Sequence, residues 1–359
     1  MISEKSFTKE WLSQVNQKLD WKRNEDQLKN LEKAIAALYL LESLSQTDIK
    51  FIFKGGTSLL LLLGKIFRLS IDIDLIVEKK KQNMDTIFSE ICRQSKLFIR
   101  YEKQEREKSK LVGTDHYKFY YLPFSNDTEE SFILLDIYYM SNPYQNTINV
   151  EIASDVVNTV GDNLRVTTPD VNSILADKLT AFAPETIGIS LSAEPGYRPK
   201  RVEVIKQLFD ISNLYDPADN IECINTTYRT IAEHEIKSKK LSITPLDTLQ
   251  DSERYAYIIG HAGHIDASTY TTISKGYKDF NKFVSDLSFD ENQAILAAAK
   301  VAYLTKLIYE EKGELVKYDN STDMSLWEIN DHNFRNFNEY KYSNPEAFFY
   351  WVHAINKQA

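Results

Sequence analysis

The turn Gly55-Gly56-Thr57-Ser58, followed sixteen positions after Gly56 by the first aspartate of Ser70-Ile71-Asp72-Ile73-Asp74-Leu75, constrains this chain more than any other feature. The apolar run Phe51-Ile52-Phe53 before the glycines reads as a buried strand. The interval after them accommodates a helix from about Thr57 to Leu63 and a return to an adjacent strand. Alternation along that second strand puts Ser70, Asp72 and Asp74 on one face and Leu69, Ile71, Ile73 and Leu75 on the other. Two carboxylates side by side on an apolar-backed strand repel unless a cation lies between them, which points to a divalent-metal site, with magnesium expected and manganese as its alternative. The other reading is an exposed edge-strand face on which both aspartates meet water. The glycines likewise admit two readings. They let backbone approach a ligand while Thr57-Ser58 opens a helix whose free N–H groups favour phosphate, or they serve turn geometry alone.

Around this unit the pattern is mixed. Phe7 to Leu44 has helical spacing with a charged break at Lys22 to Asp26, and Met84 to Gln94 reads as another helix. Phe98 to Lys103, Tyr117 to Leu122 and Ser131 to Tyr139 read as strands, the last two joined by a turn at Ser125-Asn126-Asp127. After Thr168-Pro169-Asp170 strand-like runs become scarce, and helices are expected over Lys200 to Tyr215, Asn225 to Ser238, Gln293 to Tyr309 and Pro345 to Ile355. Gly188 to Pro199 and Lys312 to Asn336 read as loops. The expected fold is therefore α+β, a mixed sheet with flanking helices over residues 1–169 and a mostly helical domain over residues 170–359. No fixed-period repeat is present.

Composition narrows the class of function. A formal charge of -9 over 359 residues argues against coating nucleic acid through bulk positive charge, leaving a local basic groove as the way to bind it. With only Cys92 and Cys223, and a start that lacks the basic-then-apolar order of a signal peptide, a reducing cytoplasm is expected. The longest apolar stretch, Leu59 to Leu63, is far short of the ~20 residues that span a bilayer, so no membrane partner is expected. His261-Ala262-Gly263-His264 has no third ligand at a metal-site spacing and reads as a surface turn. The cluster Phe348-Phe349-Tyr350-Trp351 reads as core at helical spacing, with base stacking as the other use of such rings.

The order Gly-Gly-Thr-Ser and then Arg-x-Ser-x-Asp-Ile-Asp-Leu, carried by Lys54 through Leu75, resembles the nucleotidyltransferase superfamily. Within it the chain is similar to the AbiEii-type toxins of bacterial toxin–antitoxin and abortive-infection (phage defence) systems. The resemblance implies a third carboxylate from a later strand, for which Asp136 in Phe132-Ile133-Leu134-Leu135-Asp136-Ile137-Tyr138 has the setting and Glu151 is the reserve. It also implies a lysine in an Ala-Asp-Lys-Leu-x-Ala helix, matched by Ala176-Asp177-Lys178-Leu179-Thr180-Ala181, and an aspartate in a later basic helix, matched by Asp210 in the run Arg198 to Leu214. Where the family usually has Lys-Asp or Arg-Asp, this chain has Phe209-Asp210. The resemblance covers roughly Phe51 to Leu214.

What it implies functionally is attack by an acceptor hydroxyl on the α-phosphorus of an NTP. Asp72, Asp74 and Asp136 would hold metal. Gly55, Gly56, Thr57, Ser58, Arg68 and Ser70 would bind the NTP, with Lys178 on the departing pyrophosphate and Asp210 beside it in function. The implied acceptor is RNA, especially the 3′ end of tRNA, and the implied regulator is a cognate antitoxin. Transfer to a small molecule or a protein hydroxyl, and a non-catalytic nucleotide-binding module, are the alternatives.

Overall fold

The structure is a computed structural model, and it describes residues 1–19, 25–79, 83–105, 113–125, 129–191, 200–284 and 288–356. The chain divides into two compact units, one of Met1–Asn142, Thr147–Asp170 and Lys282–Ser288, the other of Pro143–Asn146, Val171–Asn281 and Phe289–Ala359.

The first unit is built on a five-stranded mixed sheet. Its strands are β1 (Ile52–Lys54), β2 (Ile73–Val77), β3 (Phe98–Gln104), β4 (Thr114–Tyr121) and β5 (Ser131–Tyr139), in the order β1-β2-β5-β4-β3. β2 and β5 run parallel, and the other pairs are antiparallel. Strand β5 is central and alternates strictly: Ile133, Leu135 and Ile137 are buried, while Phe132, Leu134, Asp136 and Tyr138 take the other face half-buried. Phe53, Leu75 and Phe119 lie in the same buried core as those residues. Helices α1 (Lys9–Lys18), α2 (Glu25–Ser45) and α4 (Met84–Gln94) supply further members of it, among them Leu12, Leu38 and Phe88. The apolar spacing that predicts α2 is the stripe that fills this core.

Two features of this unit differ from the expectation. Strand β2 begins at Ile73, later than the alternation from Leu69 suggests, because its neighbour β1 ends at Lys54 (opposite Asp74) and β5 pairs from Ile73 onward, so Ser70 to Asp72 lie outside the ladder. Helix α3 is a single turn (Leu59–Leu62) rather than Thr57–Leu63: Leu59 and Leu60 bond back three residues to Gly56 and Thr57 at 3.3 and 3.2 Å, and Gly64 at φ +62° ends it. A second, two-stranded sheet of β6 (Thr147–Glu151) and β7 (Arg165–Pro169) is not among the expected strands, although Ile148, Val150 and Ile152 alternate with polar residues.

The second unit contains α5 (Val171–Ala181), α6 (Arg201–Tyr215), α7 (Ile221–Ser238), α8 (Pro245–Gly260), α9 (Ala267–Phe280), α10 (Glu291–Glu310), α11 (Tyr340–Ser343) and α12 (Pro345–Ile355). Neither α8 nor the Thr-rich α9 is among the helices expected from the sequence, although α8 opens on a full capping box at Thr244 and Asp247 and α9 carries the stripe Tyr270, Ile273, Tyr277 and Phe280. Phe348, Tyr350 and Trp351 of α12 are buried, as core spacing requires. The turn after α8 is where the sequence places it, but His261 is buried against Phe334 and Phe337 instead of at the surface. Asn126-Asp127, residues 192–199 of the Gly188-to-Pro199 loop, Arg198 among them, and residues 22–24 of the Lys22-to-Asp26 break lie outside the described residues. No helix among the described residues is long and apolar enough to cross a membrane.

Leu135 is fully buried at the centre of β5. Leu135→Ala is expected to cost ~2–5 kcal/mol, read as an earlier denaturant transition of the first unit.

Candidate active site

The site starts from strand register. Asp74 on β2 and Asp136 on β5 are direct partners, Lys54 on β1 is the partner of Asp74, and His116 on β4 is the partner of Asp136. Register partners share a face, so Lys54, Asp74, Asp136 and His116 form one row across four strands. Neighbouring strands lie ~4.8 Å apart, which sets two carboxylates next to each other. His116 Nδ1 lies 2.7 Å from Asp136 Oδ1, and the two side chains are 11% and 19% exposed. Lys54 Nζ sits 5.3 Å from the ring centre of Tyr138, two residues beyond Asp136 on the same face.

The glycine turn abuts this row. Gly55 has φ +81°, a conformation that side chains strain to adopt, and a Cβ added there would overlap the Asp74 carboxylate. A Cβ on Gly56 would lie 2.6 Å from Arg68 Nη2 and 2.7 Å from Ser70 Oγ. Gly55 is thus required by close approach as well as by the turn, while Gly56 leaves room for the Arg68 and Ser70 side chains. Thr57 and Ser58 are fully buried. The Thr57 hydroxyl donates to the Asp72 carbonyl at 2.6 Å, and Ser58 Oγ donates to the Gly55 carbonyl at 2.8 Å. These hydroxyls hold the turn to itself and to the segment before β2. Arg68 is buried, donates to the Leu69 carbonyl at 3.0 Å and bridges to Val284, while Leu69 N–H bonds Phe283 O at 2.9 Å. Ser70 is half-buried and Asp72 exposed.

The fold therefore gathers Gly55, Gly56, Arg68, Ser70 and Asp74 at one turn, with Asp136 beside Asp74 and the Asp72 backbone tied to Thr57. Glu151 ends β6 on the separate small sheet, where it is exposed and ion-paired with Arg165 at 3.2 Å. His116 and Lys54 belong to the row without any signal in the sequence patterning; only the strand register reveals them.

A family model described as nucleotidyl transferase AbiEii toxin, type IV TA system, matches residues 37–292, well over half of the chain. The chain belongs to this AbiEii family. No curated protein matches it.

The matched span also holds the two positions that the AbiEii resemblance assigns in the helical unit. Lys178 on α5 and Asp210 on α6 form an ion pair of 2.8 Å, with side chains 7% and 1% exposed. The departure at Phe209 has a local cause: its ring packs edge-on against Phe280 and Phe289 at 5.1 and 5.6 Å between ring centres, a site that would strand a charged head group.

Two outcomes are expected from this geometry. Gly55→Ala should weaken NTP binding about tenfold or more, because the strain and overlap fall on Asp74, while the thermal transition moves by only a few degrees. Lys178→Met removes the ammonium 2.8 Å from the buried Asp210 carboxylate and should destabilise by ~3–5 kcal/mol, with Lys178→Met/Asp210→Leu recovering most of the loss in a denaturation series.

Proposed function

We propose that this AbiEii-family chain is a metal-dependent toxin that transfers a nucleotide from an NTP to an RNA hydroxyl, with the tRNA 3′ end as acceptor, under the control of an antitoxin. The observation that carries the proposal is the in-register pair Asp74 and Asp136, with the Asp74 carboxylate pressed against Gly55.

Paired carboxylate oxygens are the donor chemistry of a hard divalent cation. Magnesium commonly takes one or two carboxylates and completes its shell with substrate phosphates and water. Among the described residues no three His, Cys, Asp or Glu converge into a closed cage, and an ion shared with the substrate needs none. Asp74 and Asp136 would hold the ion, with Asp72, two residues before Asp74, as the third candidate. When bound, it supplies positive charge to the triphosphate and lowers the pKa of the acceptor hydroxyl.

The rest is work for the chain's own groups. Gly55 and Gly56 leave room for phosphate to approach the backbone, and Ser58 serves by fixing that turn through its bond to Gly55. Thr57 anchors Asp72. Arg68 and Ser70, both against Gly56, present donors to phosphate oxygens. The acceptor oxygen forms its bond to the α-phosphorus as the bond to the bridging oxygen breaks, and pyrophosphate leaves. Lys178 is assigned to phosphate on the strength of the family motif, with Asp210 holding its ammonium in place.

Support for a nucleic-acid acceptor comes from the sheet face beyond the row. Lys118 Nζ lies 4.4 Å over the Phe132 ring, a basic group beside an aromatic one that suits a nucleic-acid backbone, while the Arg100 guanidinium over Tyr120 is ion-paired with Glu130. Support for an antitoxin is the toxin–antitoxin description of the family.

Incubating the protein with labelled NTPs, magnesium and total RNA should transfer label to RNA and release pyrophosphate. Asp74→Asn should lower kcat by about 1000-fold or more. No transfer from any of the four triphosphates would overturn the proposal.

A further inference from the structure

We infer that His116 is a positioning residue that orients Asp136 for its part in nucleotide transfer. The inference rests on the reading of the carboxylate row as the transfer centre. His116 lies on β4, a strand whose sequence, Thr-Asp-His-Tyr-Lys-Phe-Tyr-Tyr, reads as aromatic packing and carries no motif. Its neighbours Tyr117 and Phe119 go into the core, but His116 takes the opposite face and meets its register partner Asp136.

The chemistry of the pair fixes its sense. An ionised carboxylate only accepts, so Nδ1 carries the proton and donates to Oδ1, which leaves Nε2 at the far side of the ring. A bond of 2.7 Å to a charged acceptor is at the short, strong end of N–H···O geometry. It occupies one carboxylate oxygen and holds the plane of the group, so that Oδ2 points in one direction. A buried His–Asp pair that served stability alone would have no reason to keep its carboxylate partly exposed and in register with a second carboxylate, as Asp136 is with Asp74. Hydrogen bonds of this kind to a liganding group commonly contribute 10–100-fold in metal affinity or rate.

The test compares His116→Asn, His116→Gln and His116→Leu with wild type. An asparagine amide can donate from nearly the place of Nδ1, whereas the glutamine amide sits one carbon further out and leucine cannot donate. Mn2+ is titrated into each protein and free ion followed by electron paramagnetic resonance, alongside kcat, KM for NTP and the melting curve. The expected order is wild type close to Asn, with Gln and Leu weaker for Mn2+ by about 10–100-fold and lower in kcat by a similar factor, at little change in KM. Equal behaviour of Asn and Gln, or a folded Leu variant with wild-type Mn2+ affinity, overturns the inference. If the Leu variant does not fold, the Asn and Gln pair decides. Wild type that neither retains Mn2+ nor transfers nucleotide overturns the reading of the row itself, and the role of His116 falls with it. Wild type that does both, with variants to match, overturns only the role of His116.

Discussion

Two aspartates face each other in register across the parallel pair of β2 and β5. Like charges at that spacing are unfavourable on a sheet, so the surrounding structure has to hold them there against their repulsion. The sheet does so from beneath. Ile73, Leu75, Leu135 and Ile137, the residues flanking each aspartate in sequence, are all fully buried, and a slip of one residue in either strand would send an aspartate into that core. The apolar side of the sheet thereby fixes the polar side.

The groups around the pair read as consequences of that constraint. Lys54 and His116 flank the carboxylates along the row, and Arg68 lies behind the glycine turn, so basic groups border the charge on three sides. Gly55 is required because the Asp74 carboxylate occupies the volume a side chain would need. Thr57 and Ser58 spend their hydroxyls on backbone carbonyls, which keeps a one-turn helix and an irregular approach to β2 in place without a long helix or ladder to stabilise them. In the helical unit the same logic recurs in small: Asp210 is nearly inaccessible and has Lys178 as its counter-ion.

Much of this is legible in the sequence, for identifiable reasons. The Gly-Gly turn, Asp72, Asp74 and Asp136 stand out because each breaks or punctuates an apolar alternation, and α4 and β5 have the bounds their periodicity predicts. Lys178 and Asp210 are visible only through the family motif, since a lysine and an aspartate in apolar helices carry no local signal of being paired. His116 is invisible for a different reason: its role is set by register with a residue twenty positions away on the neighbouring strand, and side-chain alternation within β4 cannot say which residue it will face. The short β6 and the Thr-rich α9 do carry local signals, the alternation of Ile148 and Val150 and the stripe of Tyr270, Ile273, Tyr277 and Phe280, diluted by the polar residues between them. The length of α3 was obscured by five consecutive leucines, which extend the apolar signal past the point where Gly64 turns the chain.

The central claim is that Asp74 and Asp136 together bind one divalent ion that an NTP shares. The most direct measurement is anomalous scattering from a crystal grown with Mn2+ and a non-transferable α,β-methylene NTP analogue. The account predicts an Mn2+ peak bonded to carboxylate oxygens of both Asp74 and Asp136 and to phosphate oxygens of the analogue beside Gly55 and Gly56. Ion and analogue bound elsewhere, with the two aspartates touching neither, would contradict it.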